Sequence, residues 1–419
     1  MARKFIETVV PVSFLDSFRP AYHLFLAWFG AFAYGDPSRR MLVVGVTGTK
    51  GKTSVTEMLN AILEEAGYKT ALINSIRFKN GEKNERNMTR MSMPGRFFIQ
   101  KFLHDALASG CNAAVLEMTS EGAKQSRHRF IDLDALIFTN LAPEHIESHG
   151  SLQAYADAKF EIGKELVRSH KRPRIIAANS DDRESTRYLT LAVEQSLPFS
   201  LGATAPYEAG ERGGYFSFDG MKIPVHLGGE FSLKNALAAA TAARALGVKT
   251  PVIASALDRL EKIPGRAERI EAGQSFTAVV DYAHTPDSLK AIYDAYKNER
   301  KICVLGAAGG GRDVWKRSVM GRIAEECCAQ IILTNEDPYD EDPGAILQDI
   351  AHGMSKPPEI ILDRRAAIRR ALEYARASDA VIITGKGTDP AIAGPGGSST
   401  PWSDADVTRQ ELEALKTRV

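Results

Sequence analysis

The chain has 419 residues, enough for two or three domains with substantial cores, and a net charge of +1. That charge gives no electrostatic case for nucleic acid or for an anionic membrane. Four cysteines, Cys111, Cys303, Cys327 and Cys328, lack the spacing of a metal site. Cys327 and Cys328 adjoin inside a helical pattern and are poorly placed to bridge each other. Free thiols in a reducing, cytoplasmic setting are therefore expected.

Residues 1–39 read as a short helical preface. Within it, Tyr22 to Tyr34 is the one locally apolar segment. It is too short for a bilayer, which takes about 20 apolar residues. Gly35 to Arg40 leads straight into a strand with no small-residue cleavage site. No transmembrane segment is expected. A helix packed on the domain behind it is the first reading, and a peripheral membrane contact through residues 22–34 the second.

The apolar run Met41-Leu42-Val43-Val44 then meets Gly45-Val46-Thr47-Gly48-Thr49-Lys50-Gly51-Lys52-Thr53-Ser54, and a helical pattern follows through Val55, Met58, Leu59 and Ile62. Strand, glycine-rich turn and helix N-terminus together make an anion cradle, because unpaired backbone N–H groups converge at the positive end of the helix. Lys52 would reach the β- and γ-phosphates, and the Thr53 hydroxyl would sit on Mg²⁺. The usual first glycine of such a loop is Val46 here, with Gly45 one residue early, so the loop is a variant. An ATP or GTP site is the reading.

Strand and helix patterns alternate onward through Thr70–Asn74, Phe97–Leu107, Ala113–Met118 and Ala135–Asn140, which argues for a parallel sheet with ligands at the strands' carboxyl ends. Glu117 and Asn140 fall at such ends, and His145 follows in Pro143-Glu144-His145. Glu117 and His145 are candidate Mg²⁺ ligands, although His145 taken alone would more often be a turn histidine. The helix Tyr155–Val167 carries Lys159, which on its own reads as a snorkelling surface lysine. Ile175–Ala178 is a strand, residues 200–230 suggest antiparallel hairpins, and Phe231–Leu246, with Asn235, and Pro251–Leu260 are helices.

Pro264-Gly265-Arg266 breaks the pattern and marks a domain boundary. A fresh α/β series follows, with strands at Phe276–Asp281, Lys301–Leu305, Gln330–Thr334, Glu359–Leu362 and Ala380–Thr384. The loops after four of them are polar or glycine-rich: Asp281 to Pro286, Gly306 to Asp313, Asn335 to Pro338, and Gly385-Lys386-Gly387. Four such loops on one sheet edge build a site. No second lysine-type phosphate loop occurs, so one nucleotide shared across an interdomain cleft is the economical inference. Residues 394–400 (GPGGSST) are the one low-complexity stretch, expected to be a mobile loop.

The loop Thr47 to Thr53 resembles that of the Mur ligases, which usually have Asn where this chain has Lys50. Glu117-Met118-Thr119-Ser120 with Gln125 and Arg127 is similar to the family's next segment. So is Asn140 to Gly150 followed by Tyr155 and Ala158-Lys159. Phe231, Asn235, Pro264-Gly265-Arg266, Asp281 to Leu289 and Gly385-Lys386-Gly387 continue in the family's order, and Asp-Tyr-Ala-His-x-Pro-x-Ser points to its MurE type. The resemblance covers about residues 41–419. It implies an α/β protein with a short helical N-terminal segment at 1–39, a central ATP-binding P-loop domain at 40–265 with a mainly parallel sheet, and a Rossmann-like C-terminal α/β domain at 266–419.

The resemblance further implies ATP-dependent amide-bond formation in peptidoglycan precursor synthesis. A diamino acid, meso-diaminopimelate or L-lysine, would be added to a muramoyl-L-Ala-D-Glu type acceptor through an acyl phosphate. Lys52, Glu117, His145 and Lys159 would be the catalytic set. Gly48, Thr49, Lys50, Gly51, Lys52, Thr53, Ser54 and Asn235 would bind ATP, with Arg266, Asp281 and His284 reaching it across the cleft. Mg²⁺ would be held by Thr53, Glu117, His145 and Lys159, the last as a carbamate. Ser92, Thr119 and Arg127 would meet the precursor, and Asp337, Tyr339, Gly385 and Asp389 the incoming amino acid. The partners would be small molecules, the precursor and a free amino acid, acting on a monomer.

Three departures stand out. The family's first domain, which grips the uridine diphosphate end, is reduced to residues 1–39, so the precursor is expected to be held differently. The family's Asp-x-Pro-Arg selector for diaminopimelate is Glu336-Asp337-Pro338-Tyr339 here, and its Gly-x-Gly-His-Glu is Gly385-Lys386-Gly387-Thr388-Asp389. Arg312 or Lys386 could take over the lost arginine's work, and lysine is an equally defensible substrate. Folylpolyglutamate synthase and cyanophycin synthetase share the phosphate loop and are the enzymatic alternatives. A nucleotide-binding scaffold without catalysis is the non-enzymatic one.

Overall fold

Two mainly parallel sheets, each covered by helices on both faces, carry most of the chain. The computed structural model describes residues 12–417. Of the expected helical preface, residues 1–11 lie outside the described ones, and α1 (Val12–Ala33) occupies much of the rest.

The first sheet contains β1 (Leu42–Thr47), β2 (Thr70–Ile73), β3 (Arg77–Asn80), β4 (Lys83–Arg86), β5 (Ala113–Glu117), β6 (Ala135–Phe138), β7 (Ile175–Asn179) and β8 (Gln195–Phe199). Their spatial order is β4-β3-β2-β5-β1-β6-β7-β8. The run from β2 to β8 is parallel, and the β3–β4 hairpin adds antiparallel strands at one edge. β5 and β6 are buried along their lengths and apolar up to β5's terminal Glu117, as strands covered on both faces must be. Val44, Val46, Val115 and Ile137 face the layer holding α2 (Lys52–Glu65), while Val43, Leu116, Leu136 and Phe138 face the other.

Register decides where the chemistry falls. Val46 pairs with Glu117 and Thr47 with Phe138, so β1, β5 and β6 end side by side and their following loops converge. Further helices are α3 (Arg96–Ala108), α4 (Leu152–Arg168) and α5 (Glu230–Ala245). α5 buries an alanine-rich stripe, Ala236, Ala239, Ala240 and Ala243, and such small side chains let it lie close against α2. Residues 208–225 form the expected antiparallel hairpins as β9 (Glu208–Gly210), β10 (Gly213–Phe218) and β11 (Met221–Val225).

The second sheet contains β12 (Glu268–Arg269), β13 (Thr277–Asp281), β14 (Lys301–Leu305), β15 (Gln330–Leu333), β16 (Glu359–Ile360) and β17 (Ala380–Thr384), in the order β12-β13-β17-β14-β15-β16. Asp281 registers with Thr384 and Leu305 with Leu333, which brings the four polar loops to one edge. The chain's end is fastened there too: the Arg364 guanidinium donates to Asp404 at 2.8 and 2.7 Å and to the Thr384 carbonyl at 2.7 Å.

Two expectations are corrected. Cys303, in β14, is bonded to Cys328, just past the helix Lys316–Cys327, leaving Cys111 and Cys327 as free thiols. Sequence spacing carries no trace of a strand and a helix end packed face to face. Residues 394–400 are not a plain loop. They supply the turn and most of one strand of a hairpin, β18 (Ala391–Ala393) with β19 (Ser399–Pro401).

Candidate active site between the two sheets

The phosphate loop is pressed into its shape from behind. Gly48 and Gly51 both have positive φ, and a Cβ would come within 2.0 Å of Thr139 Oγ1 at the first and 2.2 Å of Asn235 Oδ1 at the second. Asn140 holds the loop from the neighbouring strand end: its Oδ1 accepts from the Lys50 N–H at 2.9 Å and its carbonyl from the Thr49 N–H at 2.8 Å. The Lys52 ammonium donates to the Thr49 carbonyl at 2.8 Å, and Lys159 Nζ donates to the Gly48 carbonyl at 2.6 Å. Lys159 is only 2 % exposed, which overturns the reading of it as a snorkelling surface residue.

At the end of β5, Glu117 Oε2 accepts from Thr53 Oγ1 at 2.9 Å and from the Ser75 N–H at 3.1 Å. Arg266, from the second lobe, donates to Thr53 Oγ1 at 3.3 Å and to Ser75 Oγ at 3.1 Å, with its guanidinium 4.6 Å over the Tyr282 ring. Burial lowers the pKa of Lys52, and burial followed by the charge of Lys52 pushes Lys159 well below the usual lysine range. Lys50, Lys52 and Arg266 thus face Glu117 and Glu144, a surplus of positive charge that a polyanion would relieve.

Among the described residues no three His, Cys, Asp or Glu side chains could cage a metal ion. The Thr53 hydroxyl and Glu117 carboxylate are instead the donor set of a hard divalent ion that keeps waters and takes phosphate oxygens, so Mg²⁺ fits. His145 is held in left-handed backbone, its N–H donating to Asp313 Oδ2 at 3.0 Å. Burial depresses its pKa, which favours the neutral imidazole that a metal needs.

Glu144 joins the lobes. Its Oε1 accepts from the Lys50 ammonium at 2.9 Å and lies 2.9 Å from His284 Nε2. Burial pushes this carboxyl up, but Lys50 and then His284 outweigh it and hold Glu144 well below the usual range. Burial drives His284 down to about 4. Asp281 gives both oxygens to backbone amides, those of Ala267 and Ala283, each at 2.7 Å, so it shapes the loop beside His284.

A cavity of about 580 Å³ lies between the lobes. Its lining includes Thr49 to Ser54, Glu117, His145, Asn235, Arg266, Asp281 and His284, together with Ser92 and Thr119. Gly48 and Lys159 stand behind the loop. The remaining substrate candidates are spread out. Arg127 donates to the Met93 carbonyl and to Gln125 Oε1, while Thr119 caps the short helix Ser120–Lys124. Asp337 and Asp389 are bridged by Lys386, at 2.8 and 2.9 Å, and by Arg90 of the first lobe, at 2.7 and 3.1 Å. Gly385 lies against Glu336. Tyr339 borders a separate surface cavity, with the Arg312 guanidinium 4.9 Å over its ring.

Sequence reasoning missed Arg90, Asp313 and the joint use of Glu144. Each acts on a partner far along the chain, so no local pattern marks it. Only the presence of Glu144 and Asp313 in loops singled out for other reasons could have drawn attention to them.

Residues 46–243 match the Mur ligase middle domain, and residues 265–387 the Mur ligase glutamate ligase domain. The chain is 37 % identical over 380 residues to a UDP-N-acetylmuramoyl-L-alanyl-D-glutamate--2,6-diaminopimelate ligase of Syntrophomonas wolfei, covering 86 % of this chain and 76 % of that one. It is 35 % identical over 426 residues to a UDP-N-acetylmuramyl-tripeptide synthetase of a Roseiflexus species, covering 94 % and 83 %. A solved structure of a ligase with the first name is similar at a TM-score of 0.62 and 26 % identity, covering 95 % of this chain and 83 % of that one. Mycobacterium tuberculosis folylpolyglutamate synthase reaches a TM-score of 0.71 over 98 % of both chains, but at 16 % identity this is a likeness of fold alone. With both family domains matched in order and relatives of this identity along nearly its whole length, the chain belongs to the Mur ligase family, and its relatives are of the MurE type.

Proposed function

We propose that the protein is an ATP-dependent ligase of the MurE type that adds a diamino acid, meso-diaminopimelate or L-lysine, to a muramoyl-L-Ala-D-Glu acceptor. The observation that carries this reading is the interlobe cavity of about 580 Å³, where a cation-rich phosphate loop, the Thr53–Glu117 pair and the second lobe's Arg266 and His284 converge. In the reaction an acceptor carboxylate oxygen bonds to the γ-phosphorus as the β–γ bridging oxygen leaves with ADP. The amine nitrogen then attacks the acyl carbon, the carbon–oxygen bond to phosphate breaks, and the ammonium proton passes to solvent.

Lys52 places its charge where the transferred phosphoryl group carries its own, and Arg266 approaches the same point from the second lobe. Mg²⁺, when bound, screens the phosphoryl oxygens; Thr53 with Glu117, and His145 with Lys159, are the residues that would hold it. Lys159 is suited to act as a carbamate, because its burial and the charge of Lys52 favour the neutral amine that adds carbon dioxide. Asn235 positions the base, and Asp337 with Asp389 orients the incoming amino acid.

Phosphate release measured with acceptor and amino acid supplied singly and together tests this. Release that needs both, and one of the two diamino acids in particular, is expected. Release independent of the acceptor, or seen only with a pteroyl-glutamate acceptor, overturns the reading.

A further inference from the structure

The inner side of α1 is well occupied. Ala27, Gly30 and Ala31 are buried, Phe29 meets Phe97 edge-on at 5.9 Å, and Arg96 reaches the His23 ring. Its outer side is not. Tyr22, Phe25, Trp28 and Phe32 recur at helical spacing, with Phe32 69 % and Phe25 55 % exposed. These rings lie against one another, Phe25 tilted against Trp28 at 5.8 Å and Trp28 stacked on Phe32 at 5.9 Å. No Asp, Glu, Lys or Arg occurs from Ala21 to Gly35.

Basic residues rim the C-terminal end of this helix. Arg39 and Arg40 follow it, and the run Arg168-Ser169-His170-Lys171-Arg172-Pro173-Arg174 lies alongside, because Asp132 accepts from both Arg39 Nε, at 2.9 Å, and the His170 N–H, at 2.7 Å. The carboxylates beneath, Asp132 and Glu165, are buried. The guanidinium-bearing side chains of Arg39, Arg168 and Arg172 are about half exposed, at 47, 45 and 54 %. Asp36 and Glu194 are the more open acids here, and each is paired with an arginine. Arg39, Arg168 and Arg172 are thus each more exposed than the carboxylates they pair with.

We propose that α1 seats the protein on an anionic lipid surface, its aromatic face in the headgroup layer and the Arg39, Arg40, Arg168 and Arg172 rim above it. Tryptophan and tyrosine suit that layer, and apolar burial combined with headgroup attraction is the way an interfacial helix binds. Among the described residues no helix is long and apolar enough to cross a membrane, so the contact is peripheral. This inference stands apart from the ligase reading.

The test is sedimentation of the full chain with vesicles of phosphatidylcholine, alone or mixed with phosphatidylglycerol. Binding to the mixed vesicles that weakens with salt is expected. Phe25→Ser, Trp28→Ser and Phe32→Ser combined should weaken it more than about tenfold. Arg40→Ala and Arg172→Ala should each weaken it about fivefold. All these positions are exposed, and unchanged melting temperatures confirm the fold. No binding, equal binding to both vesicle types, or a concentration-dependent dimer abolished by the three serine changes overturns the proposal.

Discussion

Across the phosphate loop the two lobes meet through carboxylates that each find a donor or a cation. Glu144 sits between Lys50 and His284, Asp313 takes the His145 and Ile146 amides, and Arg90 spans Asp337 and Asp389. A second meeting place is built the other way. In a pocket of about 460 Å³ that shares no lining residue with the first, Glu211 of the first lobe faces Glu299 of the second, with Arg269 nearby. At the cleft each carboxylate is matched by a donor or a cation, whereas at the second pocket two carboxyl groups are pressed together and one of them keeps its proton up to about pH 8. Closure is therefore governed from the cleft, where a substrate can exchange partners with the ion pairs. Those pairs are mostly buried, and removing one partner of a buried pair costs several kcal/mol, against about 0–1 kcal/mol at the surface.

The sharpest way to break this comparison is at the cation surplus. Lys52→Ala should lower kcat/KM by about 10³-fold, the scale for losing a group that stabilises transition-state charge. The melting temperature of the nucleotide-free protein should hold or rise, since a buried ammonium next to Lys159 is removed. Retained activity with a lowered melting temperature would show that the surplus serves the fold and not the reaction.

Next in size is the far end of the cleft, where Arg90 and Lys386 balance Asp337 and Asp389. Arg90→Ala should raise KM for the amino acid by tens of fold, as expected when one partner of a partly buried charge pair is lost. KM for ATP should move less than about twofold, because Arg90 contacts nothing at the phosphate loop. Equal effects on both constants would mean that Arg90 only holds the lobes together. Glu144→Gln should cost about tenfold in kcat with KM for ATP not raised, since closure weakens while Lys50 is freed for phosphate. Steady-state kinetics with each substrate varied separates these outcomes.

The phosphate loop and the strand-end residues Glu117 and Asn140 were legible because strand, turn and helix follow each other within a few residues. The second sheet's four loops were legible for the same reason. The contacts that join the lobes were not, since Arg90 and Asp337 stand 247 positions apart. The β3–β4 hairpin was missed because its polar, half-exposed edge strands lack an apolar face. Lys159 had a readable signal that went unread: Tyr155, Ala156, Ile162, Gly163 and Leu166 mark the buried face of α4, and Lys159 falls in the middle of that stripe. Immediate apolar neighbours suggested a snorkelling residue, whereas the helical period places it inside. The exposed aromatic face of α1 was visible as a greasy segment, but which of its sides is covered depends on α3.

The smallest effect sharpens the like-charge contact. Burial first, then the approach of Glu211, raises Glu299 to about 8, and its Oε2 lacks a hydrogen-bond partner among the described residues. Unfolded, this carboxyl loses its proton near 4.5. Between those two values the folded chain holds more protons than the unfolded one, so stability from this pair is full below about pH 4.5 and falls as pH rises. Beyond about 8 the loss is complete and the slope vanishes. Glu299→Gln keeps the shape and removes the titration. At pH 8.5 it should raise the melting temperature by on the order of 1–2 °C, with a smaller gain at pH 6. The cleft contacts are untouched by this change, so kcat should stay near that of the unaltered chain. A pH-independent gain would assign the effect to packing alone, and no gain at all would mean that the two carboxylates are kept apart in solution.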